Sequence, residues 1–229
     1  MSPSKQAPRA PSGKPRDWPG AGQWVPDDPT LPRLDEAIDA CRGCNLYQDA
    51  TQAVMGSGAA DASLLVLGEQ PGDKEDRAGE PFVGPAGRVL DRALADAGID
   101  PDDIYVTNVV KHFRWEGRRG SQRLHKSPTR WQVAACGPWL VAELEVVRPT
   151  GVVLLGGTAG KAVYGSSFKV GTARGRLQDW PVATFAVRRP PAWVLPTTHP
   201  SAVLRTENRD DAYAGLVADL EVAAGALAP

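Results

Sequence analysis

The sequence predicts an α/β domain in three layers, α/β/α, built on a central four-stranded parallel sheet. Four short apolar runs, at residues 64–67, 104–110, 151–155 and 193–197, have the length and composition of buried strands. Segments of helical length and helical apolar spacing lie between them. Strands alternating with helices imply a parallel sheet covered on both faces. A chain of 229 residues without internal repeats or heptads is expected to hold one substantial domain.

Residues 1–33 stand apart from that domain. They carry eight prolines and almost no aliphatic side chains, too little apolar surface to offset the entropy of ordering. They are expected to form a disordered Pro-rich arm, with residues 34–229 as the single domain. A short helix is read over Leu34–Tyr47, with Leu34, Ile38, Cys41 and Leu46 on one side. The strand beginning at Leu64 ends at Gly68, which leaves Glu69 and Gln70 at its carboxyl end. Pro85 opens a helix that Gly98 stops, with Val89, Leu90, Leu94 and Ala97 inward. The strand Ile104–Val110 carries Asn108 near its end. Ser127-Pro128 caps a long helix, Thr129–Val147, which Pro149 closes. The third and fourth strands lead into a short helix, Thr158–Tyr164, and into Thr198-His199-Pro200-Ser201; Asp210–Ala224 is the last helix. One sheet edge then collects Glu69, Gln70, Asn108, Gly156–Thr158 and His199. In an open parallel sheet, ligands bind in the crevice at that edge.

Charge and composition exclude several classes. No apolar run approaches the ~18 residues of a membrane span, and Met1–Gly20 lacks the apolar core of a secretion signal, so a cytoplasmic protein is expected. A net charge of −1 argues against a uniformly basic protein that coats DNA. The charge is uneven, however. Lys111, Arg114, Arg118, Arg119, Arg123, Lys126 and Arg130 face one acid, Glu116, in a local basic loop. Such a loop is either plain solvated surface or a salt-sensitive phosphate contact.

Cys41-x-x-Cys44 and Cys136 are the three cysteines, an odd number in a reducing compartment and so a poor basis for disulfides. Two thiolates two residues apart can point at one ion; Cys136 supplies a third ligand and His112, just after a strand, is the best-placed fourth. Zinc, an iron–sulfur cluster and plain buried thiols all fit that pattern. Gly156-Gly157-Thr158-Ala159-Gly160-Lys161-Ala162 imitates a phosphate loop but is one residue short between glycines and ends on Ala162 where a hydroxyl is needed. His125 lies inside the basic loop, which leaves the same edge as Asn108; a neutral imidazole near an electrophilic sugar carbon is a nucleophile.

The motifs Gly68-Glu69-Gln70-Pro71-Gly72, Pro81-Phe82-Val83-Gly84, Asn108-Val109-Val110-Lys111 and His199-Pro200-Ser201 with Leu204-Arg205 occur in order. In this combination the chain resembles the uracil-DNA glycosylase superfamily, and within it the family X branch close to the iron–sulfur family 4 enzymes, over roughly Cys41–Ala223. The resemblance implies that Asn108 reads uracil, that Phe82 stacks on the base, and that Glu75 stands against C5 to exclude thymine. Gln70 is expected among the substrate-binding residues. His199 is implied beside O2 of the departing base, and Ser201–Arg205 as the segment that enters the minor groove. Arg123 and Lys126 are the implied phosphate contacts of the loop. Cys41, Cys44, His112 and Cys136 are implied as ligands of a structural 4Fe-4S cluster, with zinc as the alternative.

The family X signature is an inserted loop, Lys-Arg-Arg-Ile-His, whose histidine attacks C1′ and stays attached. Here the matching run is Ser121-Gln122-Arg123-Leu124-His125, in which Arg123 and His125 agree outright and two basic residues are missing. The function implied is excision of uracil followed by covalent capture of the abasic site by His125, with Glu69 assisting. The alternatives are a turnover glycosylase of the family 4 kind and a non-catalytic metal-bound nucleic-acid binding module. The expected partner is uracil-containing DNA, single strands preferred, bound by a monomer away from membranes.

Overall fold

The computed structural model describes residues 18–181 and 184–228. Its core is a mixed sheet whose four main strands are the expected ones: β2 (Leu64–Gly68), β3 (Ile104–Asn108), β6 (Gly151–Leu155) and β7 (Trp193–Thr197), all parallel. β2, β6 and β7 are buried at every position, which is why their sequences read as continuous apolar runs without alternation. A fifth strand corrects the four-stranded expectation: β1 (Ser57–Gly58) pairs antiparallel with β3, giving the order β1-β3-β2-β6-β7. Two exposed residues, one of them glycine, carry no periodicity from which a strand can be read.

Helices cover both faces. On one side α1 (Leu31–Ile38), α4 (Arg130–Val147) and α5 (Gly156–Tyr164) enclose a core that includes Leu34, Leu67, Trp139, Leu140 and Val163. On the other, α3 (Pro85–Asp96), α7 (Pro200–Arg205) and α8 (Arg209–Leu227) enclose Val66, Leu90, Leu195, Val203 and Leu216. Among the described residues no helix is long and apolar enough to cross a membrane.

Several boundaries differ from the sequence reading. The first helix runs over Leu31–Ile38, with Thr30 accepting from the Arg33 amide as its N-cap, and stops before Cys41; Leu46 is buried from a separate 3₁₀ turn, Asn45–Gln48. Residues 18–33 are tied down rather than free: the Ala21 amide donates to Ala135 O at 2.8 Å, and Ala21 is buried. Gly43 makes this possible, since a side chain there would collide with the Ala21 backbone. One small apolar residue, invisible in a composition dominated by proline, fixes the segment. Residues 1–17 of the expected arm lie outside the described residues. The basic stretch is also ordered, as an antiparallel hairpin of β4 (Trp115–Arg119) and β5 (Gln122–His125).

Candidate active site

β2 has β3 on one side and β6 on the other: the chain passes from β2 outward to β3 and then crosses back over to β6, and such a switch of direction opens a crevice at the carboxyl ends of the strands. A cavity of about 580 Å³ opens there. Its walls bring together Glu69, Gln70, Glu75, Phe82, Asn108, His125, His199, Ser201 and Arg205, which the sequence places on six separate segments. Leu155, Gly156–Thr158 and Lys161 line it too, with Gly156–Thr158 at the sheet edge where the alternation of strands and helices places them.

Asn108 pairs in register with Gly68. A Cβ at Gly68 would overlap both Asn108 Oδ1 and Phe82 Cζ, so the absence of a side chain lets an amide and an aromatic ring share one wall. Phe82 has φ 58°, a left-handed conformation rare for a bulky residue, and α3 packs onto its carbonyl through Gly87, which has no room for a Cβ. Glu75 accepts from the Gly72 amide at 3.1 Å and the Gly84 amide at 2.6 Å, closing the loop that carries Phe82. Its carboxylate is therefore engaged while it lines the cavity.

His199 caps α7. Its Nδ1 accepts from the Ser201 amide at 3.1 Å and lies 2.8 Å from Ser201 Oγ. With Nδ1 accepting, a neutral ring carries its proton on Nε2. Burial, together with the nearby charges of Arg205 and His125 and against that of Glu69, pushes His199 down to about 4, so the ring is neutral at pH 7. Ser201, expected at DNA, holds this imidazole. Because the folded pKa lies below the unfolded 6.5, the unfolded chain binds more protons between those values. The contribution to stability is complete above about pH 6.5 and is lost as pH falls through about 4. Melting curves from pH 7 to pH 4 are expected to show a progressive drop in Tm, and a flat profile would contradict the burial of His199.

The hairpin delivers His125 to the cavity. Gln70 holds its root: Nε2 donates to Arg114 O at 3.0 Å and Lys126 O at 3.3 Å, and Oε1 accepts from the Arg114 amide at 3.1 Å. Farther out, Arg123 turns inward to Asp73 and Asp76 of α2 (Asp73–Ala78), at 2.5 and 2.6 Å, and is 6% exposed. The expected phosphate contact is thus a buried anchor, and the expected substrate contact Gln70 is a clasp. Burial alone would raise the Asp73 carboxyl, but hydrogen bonds and charge from Arg123 and Arg77 hold it below the usual range. Lys111 is likewise sealed, against Glu143, so two of the seven basic residues contribute nothing to an outer phosphate surface. Lys126 is exposed beside Glu116 at 3.1 Å. Arg123→Ala should cost about 3 kcal/mol of stability, as expected when one partner of a buried pair is removed, and should leave the salt dependence of DNA binding unchanged. Chemical denaturation and titration at several salt concentrations check both.

His125 sits at the end of β5 with its Nε2 3.6 Å from Glu69 Oε1. Burial lowers its pKa more than the Glu69 charge raises it, and Arg205 lowers it further, so the imidazole is neutral at pH 7. Glu69 Oε1 is sealed and has no hydrogen-bond partner. The cavity therefore holds the carboxylates of Glu69 and Glu75, two neutral imidazoles, the amides of Gln70 and Asn108, and an aromatic ring.

Cys41, Cys44, His112 and Cys136 are all buried, and Cys136 lies on α4. Among the described residues no group of three or more His, Cys, Asp or Glu side chains is gathered so as to hold a metal ion. The donor chemistry nonetheless suits a thiolate-bound cluster. Cys41 Sγ accepts from Trp139 Nε1 at 3.4 Å and Cys136 Sγ from the Lys111 amide at 3.3 Å, contacts that favour sulfur carrying negative charge. Burial raises Cys44 to about 11 and Cys136 to about 12, an arrangement that a bound cation would reverse.

Residues 55–221 match the family model described as "Uracil DNA glycosylase superfamily". A "Type-4 uracil-DNA glycosylase" of Thermotoga maritima is 35% identical over 178 residues, covering 77% of this chain and 84% of that protein. Proteins of the same description from Pyrobaculum aerophilum and Sulfurisphaera tokodaii are 34% and 32% identical over 76% and 78% of this chain, and 85% and 78% of their own lengths. The matched span runs from just before β1 into α8 and takes in every strand, so the likeness extends to the whole framework that carries the cavity. On that ground, this chain belongs to the uracil DNA glycosylase superfamily.

Proposed function

We propose that this protein is a uracil-DNA glycosylase of the type-4 kind, which excises uracil and leaves an abasic site. One observation carries the reading: a single cavity joins Asn108, Phe82, His199 and Glu69 at the carboxyl ends of parallel strands. A uracil flipped from the stack enters that cavity. Asn108 Oδ1 accepts from N3–H while Nδ2 donates to O4, a pattern that cytosine cannot meet. Phe82 stacks on the base, and Glu75 stands at C5. As the C1′–N1 bond breaks, the base departs with its electron pair and charge builds on O2, where His199 Nε2–H donates. The sugar becomes oxocarbenium-like, and the Glu69 carboxylate opposes that positive charge. Water then adds to C1′, and the proton it releases passes to the uracil anion, which leaves as neutral uracil. Arg205 and Lys126 meet strand phosphates, and Ser201–Arg205 occupy the gap left by the flipped nucleotide.

A second reading is favoured by the position of His125. Its neutral ring lines the same cavity beside Glu69, so it competes with water for C1′ and ends the reaction as a covalent adduct. Both readings include a 4Fe-4S cluster held by Cys41, Cys44, Cys136 and His112, with zinc as the alternative. When bound, the group cross-links the first helical region to α4 and the root of the hairpin; a brown protein with iron present separates it from zinc.

The test mixes the enzyme with excess uracil-containing single strand and resolves the products on a denaturing gel. Free abasic DNA formed over many turnovers supports the first reading. A shifted band limited to one equivalent, and lost on His125→Ala, selects the second. No loss of uracil overturns both.

A further inference from the structure

Behind the base-reading wall lies an ion pair that no step above uses. Lys111 Nζ and Glu143 Oε2 are 2.5 Å apart, and both side chains are fully buried. The three protons of the ammonium are all placed: one on Glu143, one on Thr107 Oγ1 at 2.6 Å and one on the main-chain carbonyl of Asn108 at 2.8 Å. Glu143 Oε1 in turn accepts from Thr107 Oγ1 at 2.8 Å, Tyr105 OH at 3.1 Å and the Gly56 amide at 3.1 Å. The network is closed and buried, and it grips β3 at Tyr105, Thr107 and Asn108, the last of which lines the cavity.

We propose that Lys111 and Glu143 are positioning residues for uracil recognition, fixing the main chain of Asn108 so that its side-chain amide meets the base in one pose. The argument rests on Asn108 reading the base. β3 ends at Asn108, and the Val109 and Val110 amides beyond it still donate to Gly68 O and Glu69 O, so the carbonyl of Asn108 is the main-chain group that the ammonium adds to this hold. The ammonium takes hold there through the carbonyl, which leaves the amide for the ligand. A buried ion pair is a weak source of net stability compared with an uncharged replacement, because desolvation of both charges offsets their attraction. What it does supply is a single arrangement with every donor matched, and a donor–acceptor reading of uracil needs its amide held to within a fraction of an ångström.

The experiment compares wild type with Lys111→Met/Glu143→Gln. This variant removes both charges and keeps an oxygen for Tyr105, Thr107 and Gly56. Its melting temperature and its affinity for a strand bearing a stable abasic-site analogue are expected to match wild type, since no base is read there. kcat/KM for uracil excision is expected to fall roughly 100-fold, the scale of a misplacement near 1 Å. Thr107→Val, which removes one leg of the network, is expected to give a smaller loss with the same pattern and serves if the double variant does not fold. Unchanged excision in the folded variants overturns the proposal, as does an equal loss of excision and abasic-strand binding. Asn108→Ala separates the two levels: full activity there overturns the base reading itself, whereas inactivity there with active brace variants overturns only the role of the pair.

Discussion

Asn108→Ala is expected to lower kcat/KM for uracil excision by about 10⁴-fold, the discrimination available to a site built around hydrogen bonds to its substrate. Asn108 is 3% exposed and forms one wall of the cavity. Removing its amide leaves N3–H and O4 of a desolvated uracil unmatched, and the cost appears in the transition state as well as in binding. The melting temperature should change little, because Lys111 holds this residue by its main chain rather than by its amide. Single-turnover rates on uracil-containing DNA, with denaturation curves alongside, check both parts.

Glu69→Gln is expected to slow bond cleavage about 100- to 1000-fold, comparable to removing one preorganised electrostatic contact from an active site. The amide keeps the shape and removes the charge. Glu69 Oε1 is buried without a hydrogen-bond partner and 3.6 Å from His125 Nε2, so the charge is not neutralised by a donor at that oxygen. A carboxylate so placed stabilises a cation arising nearby, whether on the sugar or on an imidazole that has become bonded to it. Loss of Glu69 also removes the charge that raises the pKa of His125 and His199, so both rings should become still harder to protonate. An unchanged single-turnover rate would show that the carboxylate does not face the reacting sugar.

The four main strands, α3, α4 and α8 were legible in the sequence because burial on both faces leaves apolar runs and helix signals that do not depend on the rest of the fold. The polar elements were not. α2 is a six-residue helix of mostly charged side chains, set by the Glu75 cap on the Gly72 amide and by left-handed Gly79, with no apolar stripe to reveal it. The hairpin hid behind its charge: its inward residue is Arg123, whose burial is made possible by Asp73 and Asp76 some fifty residues away. The two acids, three apart on one helix face, were a signal in principle, but only pairing in space identifies their partner. For the same reason the convergence of Glu69, Gln70, Asn108 and His199 followed from parallel topology, whereas the anchoring role of Arg123 and the hold of the Gln70 amide on the hairpin depend on contacts between distant segments.

The two attachments of the hairpin have a consequence for how such enzymes diversify. The ribbon hangs from the body by the Gln70 clasp and the Arg123 carboxylate pairs, while the residues proposed to choose the base belong to the sheet edge and the turns beside it. In the proposed reaction, selection of the base and the fate of the sugar then fall to separate parts of the chain. Shortening or exchanging that ribbon, with its fastenings kept, would let one scaffold alternate between a reusable catalyst and a single-use trap without retuning the pocket that tells uracil from cytosine.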